Sequence, residues 1–284
     1  MSLVPTGELV EQARRAGHAI AAFNVITLEH AEGIALGAER AGLPVILQLS
    51  ENAVKYHGSP YALAAASAAV ARVSSADISL HLDHITDISL MHLAPELEVS
   101  SVMYDGATFP YEENVRHTRE AVEWGQKHGI WIEAELGEIG GKDGAHAPGV
   151  RTDPDEARQF VDATGVAALA VAVGSSHAMT SKDAALDHEL IKVLRSTLDV
   201  PLVLHGSSGV SDEELTLAAQ EGMVKINIGT ALNIAYTGAT RSFLEANPSV
   251  VDPRKYFKPS REAVAATVEH ALKVLANATE KSLA

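Results

Sequence analysis

The chain has 284 residues, 46% hydrophobic and 21% charged, which is ordinary globular composition at a length that suits one large domain or two small ones. Its 22 Lys and Arg against 37 Asp and Glu leave a net charge of −15, which disfavours nucleic acid and anionic membrane surfaces as partners. Cysteine is absent, so disulfides and thiolate ligands are excluded and any metal must be held by His, Asp or Glu.

Apolar runs rich in β-branched residues predict strands over 19–25, 44–50, 78–84, 101–105, 130–136, 167–173, 201–206 and 223–229. Alanine-rich amphipathic segments between them predict helices near 28–40, 60–76, 87–95, 110–128, 154–163, 187–197, 211–221 and 231–246, with a last one near 260–278. Entry signals such as "TDPDEA" at 152–157 and "SDEEL" at 211–215 mark two of the helix starts. Eight strands each followed by a helix predict an α/β fold, a closed (β/α)8 TIM barrel, with residues 1–284 as a single domain. The alternative, an open doubly wound sheet, would show a Gly-rich phosphate turn after an early strand, and "AAFNVITLEH" is not one. The glycine-rich, polar stretch 137–153, "GEIGGKDGAHAPGVRTD", is expected to be a mobile lid, an unstructured bulge being the alternative. There is no apolar run of membrane-spanning length and no basic leader followed by an apolar core, so the expected location is cytoplasmic.

In such barrels the variable loops follow the C-terminal ends of the strands, and the active site forms there. Every predicted strand end carries polar groups: Asn24; Gln48 and Ser50; Asp83 and His84; Asp105; Glu133 and Glu135; His177; His205; Asn227 and Thr230. His84, His177 and His205 follow strands 3, 6 and 7, and three imidazoles around an open position are the layout of a catalytic zinc site. The bland alternative is three separate hydrogen-bonded histidines. Asp105 and Glu135 are candidates for extra or alternate ligands, or for partners that orient the imidazoles. Alternation along a strand puts Asp83 and His81 on one face, so His84 can join Asp83 only if the chain turns there. His81 is then expected to fill the upper barrel layer. "HGSSG" at 205–209 and "NIGT" at 227–230 place small residues before helices, where backbone N–H groups can cradle phosphate, unless they are merely tight turns.

The blocks "AAFNV", "VILQLS", "HLDH", "SVMYDGA", "EAELGEIGG", "AVAVGSSHAM", "PLVLHGSSG", "VKINIGTALN" and "DPRKYF", in this order from residue 21 to about 257, resemble the class II, metal-dependent fructose-bisphosphate and tagatose-bisphosphate aldolases. The resemblance implies zinc on His84, His177 and His205, with Glu135 able to approach the metal. It implies Asp83 as acid/base on the C4 hydroxyl, and Asn24, Ser50, Gly206, Ser208, Asn227 and Thr230 as phosphate and substrate contacts. A monovalent cation is a further cofactor candidate, a phosphorylated sugar is the expected partner, and the assembly is expected to be a homodimer or homotetramer. Four departures bear on sugar specificity. Ala178 replaces the usual glycine after the strand-6 histidine, and Gly229 stands where some members carry Asp. In "GGKDG" Asp143 is the nearest substitute for a catalytic lid Glu, and Lys258 falls near a phosphate-binding arginine.

The expected activity is therefore reversible cleavage of a ketose 1,6-bisphosphate, with fructose 1,6-bisphosphate placed before tagatose 1,6-bisphosphate or another ketose phosphate. The products would be dihydroxyacetone phosphate and an aldehyde such as glyceraldehyde 3-phosphate. Two rivals are a Schiff-base aldolase using Lys225, on strand 8 in phase with Asn227, and a non-catalytic sugar-phosphate-binding barrel.

Overall fold

The computed structural model describes residues 3–136, 151–175 and 184–276. Eight parallel strands, β1 (Ile20–Asn24), β2 (Val45–Ser50), β3 (Ile78–Ile85), β4 (Ser101–Tyr104), β5 (Trp131–Glu135), β6 (Ala168–Ala170), β7 (Leu202–Leu204) and β8 (Met223–Ile228), pair in sequence order and close on themselves as β8 meets β1. The (β/α)8 barrel is thus the observed architecture, and each strand lies within the span expected for it or extends past it by a single residue.

Two helices lie outside the alternation expected from the sequence. Helix α1 (Thr6–Ala16) precedes the first strand, and its Leu9, Val10 and Ala13 pack against the inward Ile20, Ala22, Ile46 and Val224 at the N-terminal end of the barrel. Helix α3 (Glu51–His57) starts directly from β2, where the Ser50 hydroxyl caps it by accepting from the Ala53 amide at 3.2 Å. Between and after them run α2 (Leu28–Ala41), α4 (Tyr61–Val73), a single-turn α5 (Ile88–Met91), α6 (Tyr111–His128), α7 (Pro154–Thr164), α8 (His188–Thr197), α9 (Asp212–Glu221), α10 (Thr230–Ala246) and α11 (Pro253–Ala276).

The last helix starts seven residues before the position expected from sequence, because Pro259 lies inside it rather than ahead of it. Proline removes one amide donor and ordinarily ends a helix. Here tertiary contacts on both sides hold the turn: Phe257 lies 5.9 Å from the Tyr236 ring, and the Thr240 and Ser260 hydroxyls meet at 2.7 Å. Farther along, α11 lies so close to α2 that a Cβ on Gly37 would stand 2.6 Å from the Ala265 carbonyl oxygen. The outward faces of the strands (Phe23, Leu47, Leu80, Leu82, Val102) bury against this helical ring through Ile34, Leu63 and Val268.

The inward faces become more polar toward the C-terminal rim. Ser79, His81 and Asp83 climb β3, Ser101 lies on β4, Glu133 and Glu135 on β5, and Lys225 and Asn227 on β8, all of them buried. No helix among the described residues is long and apolar enough to cross a membrane.

Candidate active site

The site depends on a break in the alternation of β3. Pairing between β3 and β4 shifts register between Leu82 and Ile85, and within that bulge His84 takes φ = 50°. A left-handed conformation costs a residue with a side chain roughly 1–2 kcal/mol. It also turns His84 inward beside Asp83, where a regular strand would have sent the two to opposite faces. The turn required for the "HLDH" block to serve one site is therefore present. Glu51 secures its far side, accepting from the Thr86 amide at 2.6 Å, the Asp87 amide at 3.0 Å and the Thr86 hydroxyl at 2.9 Å. Burial opposes ionisation of Glu51, but Lys55 and these donors prevail and bring its pKa down to about 2.

Each of the two described histidines is anchored through one nitrogen by a carboxylate. His84 Nδ1–H donates to Asp105 Oδ2 at 2.8 Å, which presents Nε2 to the site. His205 Nε2–H donates to Glu133 Oε1 at 3.1 Å, and its Nδ1 lies 3.3 Å from Glu135 Oε2. The two rings stand edge to face with centroids 4.8 Å apart. One potential ligand atom each from Asp83, His84 and His205 lies within 4.8 Å of the other two, so these three can hold a metal ion. His177, the third expected ligand, lies outside the described residues, as do Asp143, Ala178 and the expected lid residues 137–150.

Electrostatics fit a cation at this point. Burial works against a charged His84, but Asp83, the bond to Asp105, and Glu135 outweigh it and push its pKa up to about 10. Burial likewise opposes the charged form of His205, and Glu133 with Glu135 raises it. The surrounding carboxylates thus draw protons onto imidazoles at the very place where a metal would supply the positive charge.

Asp83, 2% exposed, is held by three side-chain amides. Asn227 Nδ2 donates to its Oδ1 at 3.3 Å, and Asn24 Nδ2 and Gln48 Nε2 reach its Oδ2 at 3.4 Å each. Gln48 also donates to Asn24 Oδ1 at 2.9 Å, locking the group together. Burial favours the neutral acid, but the charges of His84, His205 and Lys225 prevail and lower its pKa, so Asp83 is a carboxylate.

Above these groups opens a cavity of about 500 Å3, within the usual range for small-molecule sites. Asn24, Ser50, Asp83, His84 and Asp105 line one part of it, and Gly206, Ser208, Asn227 and Thr230 line another, while Glu135 and His205 lie beneath. Gly206 takes φ = 67°, the left-handed turn that leads into a 3-10 turn at Ser207–Gly209. Ser207 Oγ donates to the Asn227 carbonyl, and Ser208 Oγ accepts from the Ala231 amide at 3.1 Å, so the ends of β7 and β8 are tied together. At Gly229 a Cβ would meet Asn24 Oδ1 at 2.6 Å, so the glycine makes room for the asparagine that steadies Asp83.

His81 packs as expected. It is fully buried, its Nδ1 lies 2.7 Å from Ser101 Oγ, and burial followed by the Lys225 charge lowers its pKa to about 3. Lys225 is buried against Glu133 at 2.8 Å, so its amine is an ion-pair partner beneath the site. Sequence reasoning passed over Glu51 and Lys55, on the rim just past β2, and the anchoring role of Glu133. Strand parity with Glu135 would have placed Glu133 inward. The rim position of "SENAVK" after β2 was the corresponding signal for the other two.

The family model described as fructose-bisphosphate aldolase class-II matches residues 4–280. A fructose-bisphosphate aldolase of Geobacillus stearothermophilus is 36% identical over 272 residues, covering 94% of this chain and 95% of the relative. The crystal structure of the YdjI aldolase from Escherichia coli K12 superposes with a TM-score of 0.85 at 30% identity, over 98% of this chain and 99% of that one. The fructose-bisphosphate aldolase of Campylobacter jejuni, at 21% identity and a TM-score of 0.83 over 96% of this chain and 95% of that one, shares the fold.

Proposed function

The chain belongs to the class II fructose-bisphosphate aldolase family, carbon–carbon lyases, and on that premise we propose that it reversibly cleaves a ketose 1,6-bisphosphate, fructose 1,6-bisphosphate first, using zinc. The observation that carries this reading is the ionised Asp83, held by three amides beside the His84–His205 pair. In cleavage, Asp83 accepts the C4 hydroxyl proton as the C3–C4 bond breaks, and an aldehyde such as glyceraldehyde 3-phosphate leaves. The electron pair stays on C3 of the dihydroxyacetone phosphate half, where Asp143 or a water delivers a proton. Zinc held by His84, His205 and His177 would supply Lewis-acid stabilisation of that developing charge. Asp105 and Glu133 orient the first two histidines, and Glu135 stands close enough to His205 to serve as an alternate ligand. The substrate's phosphate is received by Gly206, Ser208 and Thr230 at the ends of β7 and β8, with Asn24, Ser50 and Asn227 contacting the sugar.

The ion pair of Lys225 with Glu133 favours this chemistry over a Schiff base, since the lysine's amine is already engaged. The test measures dihydroxyacetone phosphate release from fructose and tagatose 1,6-bisphosphates with a coupled reductase, before and after chelation. Activity lost to chelator and restored by zinc is expected, and His84→Ala and His205→Ala should lose zinc and turnover together. Absence of product from every ketose phosphate, or chelator-resistant turnover with borohydride trapping of a lysine, would refute the reading.

A further inference from the structure

Among the described residues lining the mouth of the cavity, Lys55 is the only lysine or arginine. It stands on α3, five residues past Ser50, whereas the small-residue turns lie at the ends of β7 and β8. Because β8 closes on β1 and β1 on β2, the sites are two strands apart around the rim, with Asn24 between them. A substrate whose phosphate rests against the β7–β8 turns and whose reacting carbons lie over Asp83 can direct its remaining end toward α3.

The lysine is able to respond. Its Nζ lies 2.6 Å from Glu51 Oε1, and its own side chain is 67% exposed while that of Glu51 is 7% exposed, so the ammonium stands at the solvent edge of a buried carboxylate. Glu51 keeps its three bonds to Thr86 and Asp87 whichever way the lysine turns. The exposed ammonium can therefore turn toward an incoming anion while Glu51 stays bonded to the backbone. The need for such a cation is plain, because Asp83, Asp105 and Glu51 also line the mouth of a chain whose net charge is −15.

We propose that Lys55 is a specificity residue that receives the anionic group, phosphate or carboxylate, at the end of the ketose phosphate remote from the β7–β8 turns. This rests on the aldolase reading above. The test compares kcat/KM for three ketose 1-phosphates whose far carbon carries a phosphate, a carboxylate or a hydroxyl. The parent enzyme should favour the charged substrates. In Lys55→Gln the charged-to-neutral ratio should fall about tenfold or more, carried by KM, as expected for loss of a charge-assisted contact. Lys55→Arg should retain most of that ratio. Whichever charged substrate loses more in Lys55→Gln identifies the group recognised. An unchanged ratio, or an equal loss on all three substrates, would overturn the proposal. Failure of the parent to release dihydroxyacetone phosphate from any of the three would overturn the aldolase reading and this inference with it.

Discussion

Replacing Lys225 by Met would remove one charge from the centre of the barrel with almost no change in volume. Lys225 and Glu133 are both fully buried and 2.8 Å apart, and Glu133 also accepts from His205 at 3.1 Å. Lys225→Met leaves the Glu133 carboxylate without its main counter-charge, and breaking a buried pair from one side costs about 3–5 kcal/mol. That corresponds to a fall in Tm on the order of 5–10 °C. Lys225→Met/Glu133→Gln, which removes both charges, should recover about 2 kcal/mol or more relative to additivity. Urea unfolding of the parent, both single variants and the double variant supplies all four corners of the cycle. The pH dependence adds a second check. Burial opposes ionisation of Glu133, but Lys225 and His205 hold its pKa well below the usual carboxylate range. Its contribution is therefore present above about pH 4.3, the unfolded value, and is lost as pH falls toward the folded one. A Lys225→Met protein within about 1 kcal/mol of the parent, or an additive cycle, would refute the reasoning.

Asp83→Ala should lower kcat by roughly 10²–10⁴-fold, the usual contribution of a general base, while zinc content measured by mass spectrometry stays near that of the parent; unchanged turnover would remove the base from Asp83. Gly229→Ala should push Asn24 away from Gln48 and Asp83. A loss of about 1 kcal/mol at that contact predicts a roughly fivefold or greater fall in kcat, with the unfolding midpoint nearly unchanged. His81, with a folded pKa of about 3, binds its proton more weakly folded than unfolded, so its contribution is full above about pH 6.5 and declines as pH falls toward 3. Stability measured stepwise between pH 7.5 and 4 should therefore fall more steeply in the parent than in His81→Gln.

Much of the architecture was legible because a buried parallel strand and an amphipathic helix leave different local periodicities. The eight strand spans follow from that difference, as does the gathering of Asn24, Asp83, Asp105 and Asn227 at one rim. The two helices that went unseen lie outside the strand–helix alternation, α1 before it and α3 within one loop. The start of α11 was obscured because a local rule about proline yielded to packing against Tyr236 and Thr240. Glu133, Lys225 and Glu51 act through partners far away in the chain, and no local pattern records such pairs.

The amino-acid sequence by itself determined the barrel, the rim on which chemistry could occur and the residue types available there. Periodicity and strand-end placement are local properties that survive in one dimension. The tertiary structure decided which neighbours work together: that His84 turns inward at φ = 50° beside Asp83, and that Asp105 and Glu133 set the faces of His84 and His205. It also decided that Gly229 yields its space to Asn24. Each of these depends on a register shift or a contact between distant strands, and the free energy that settles it arises only when the barrel closes.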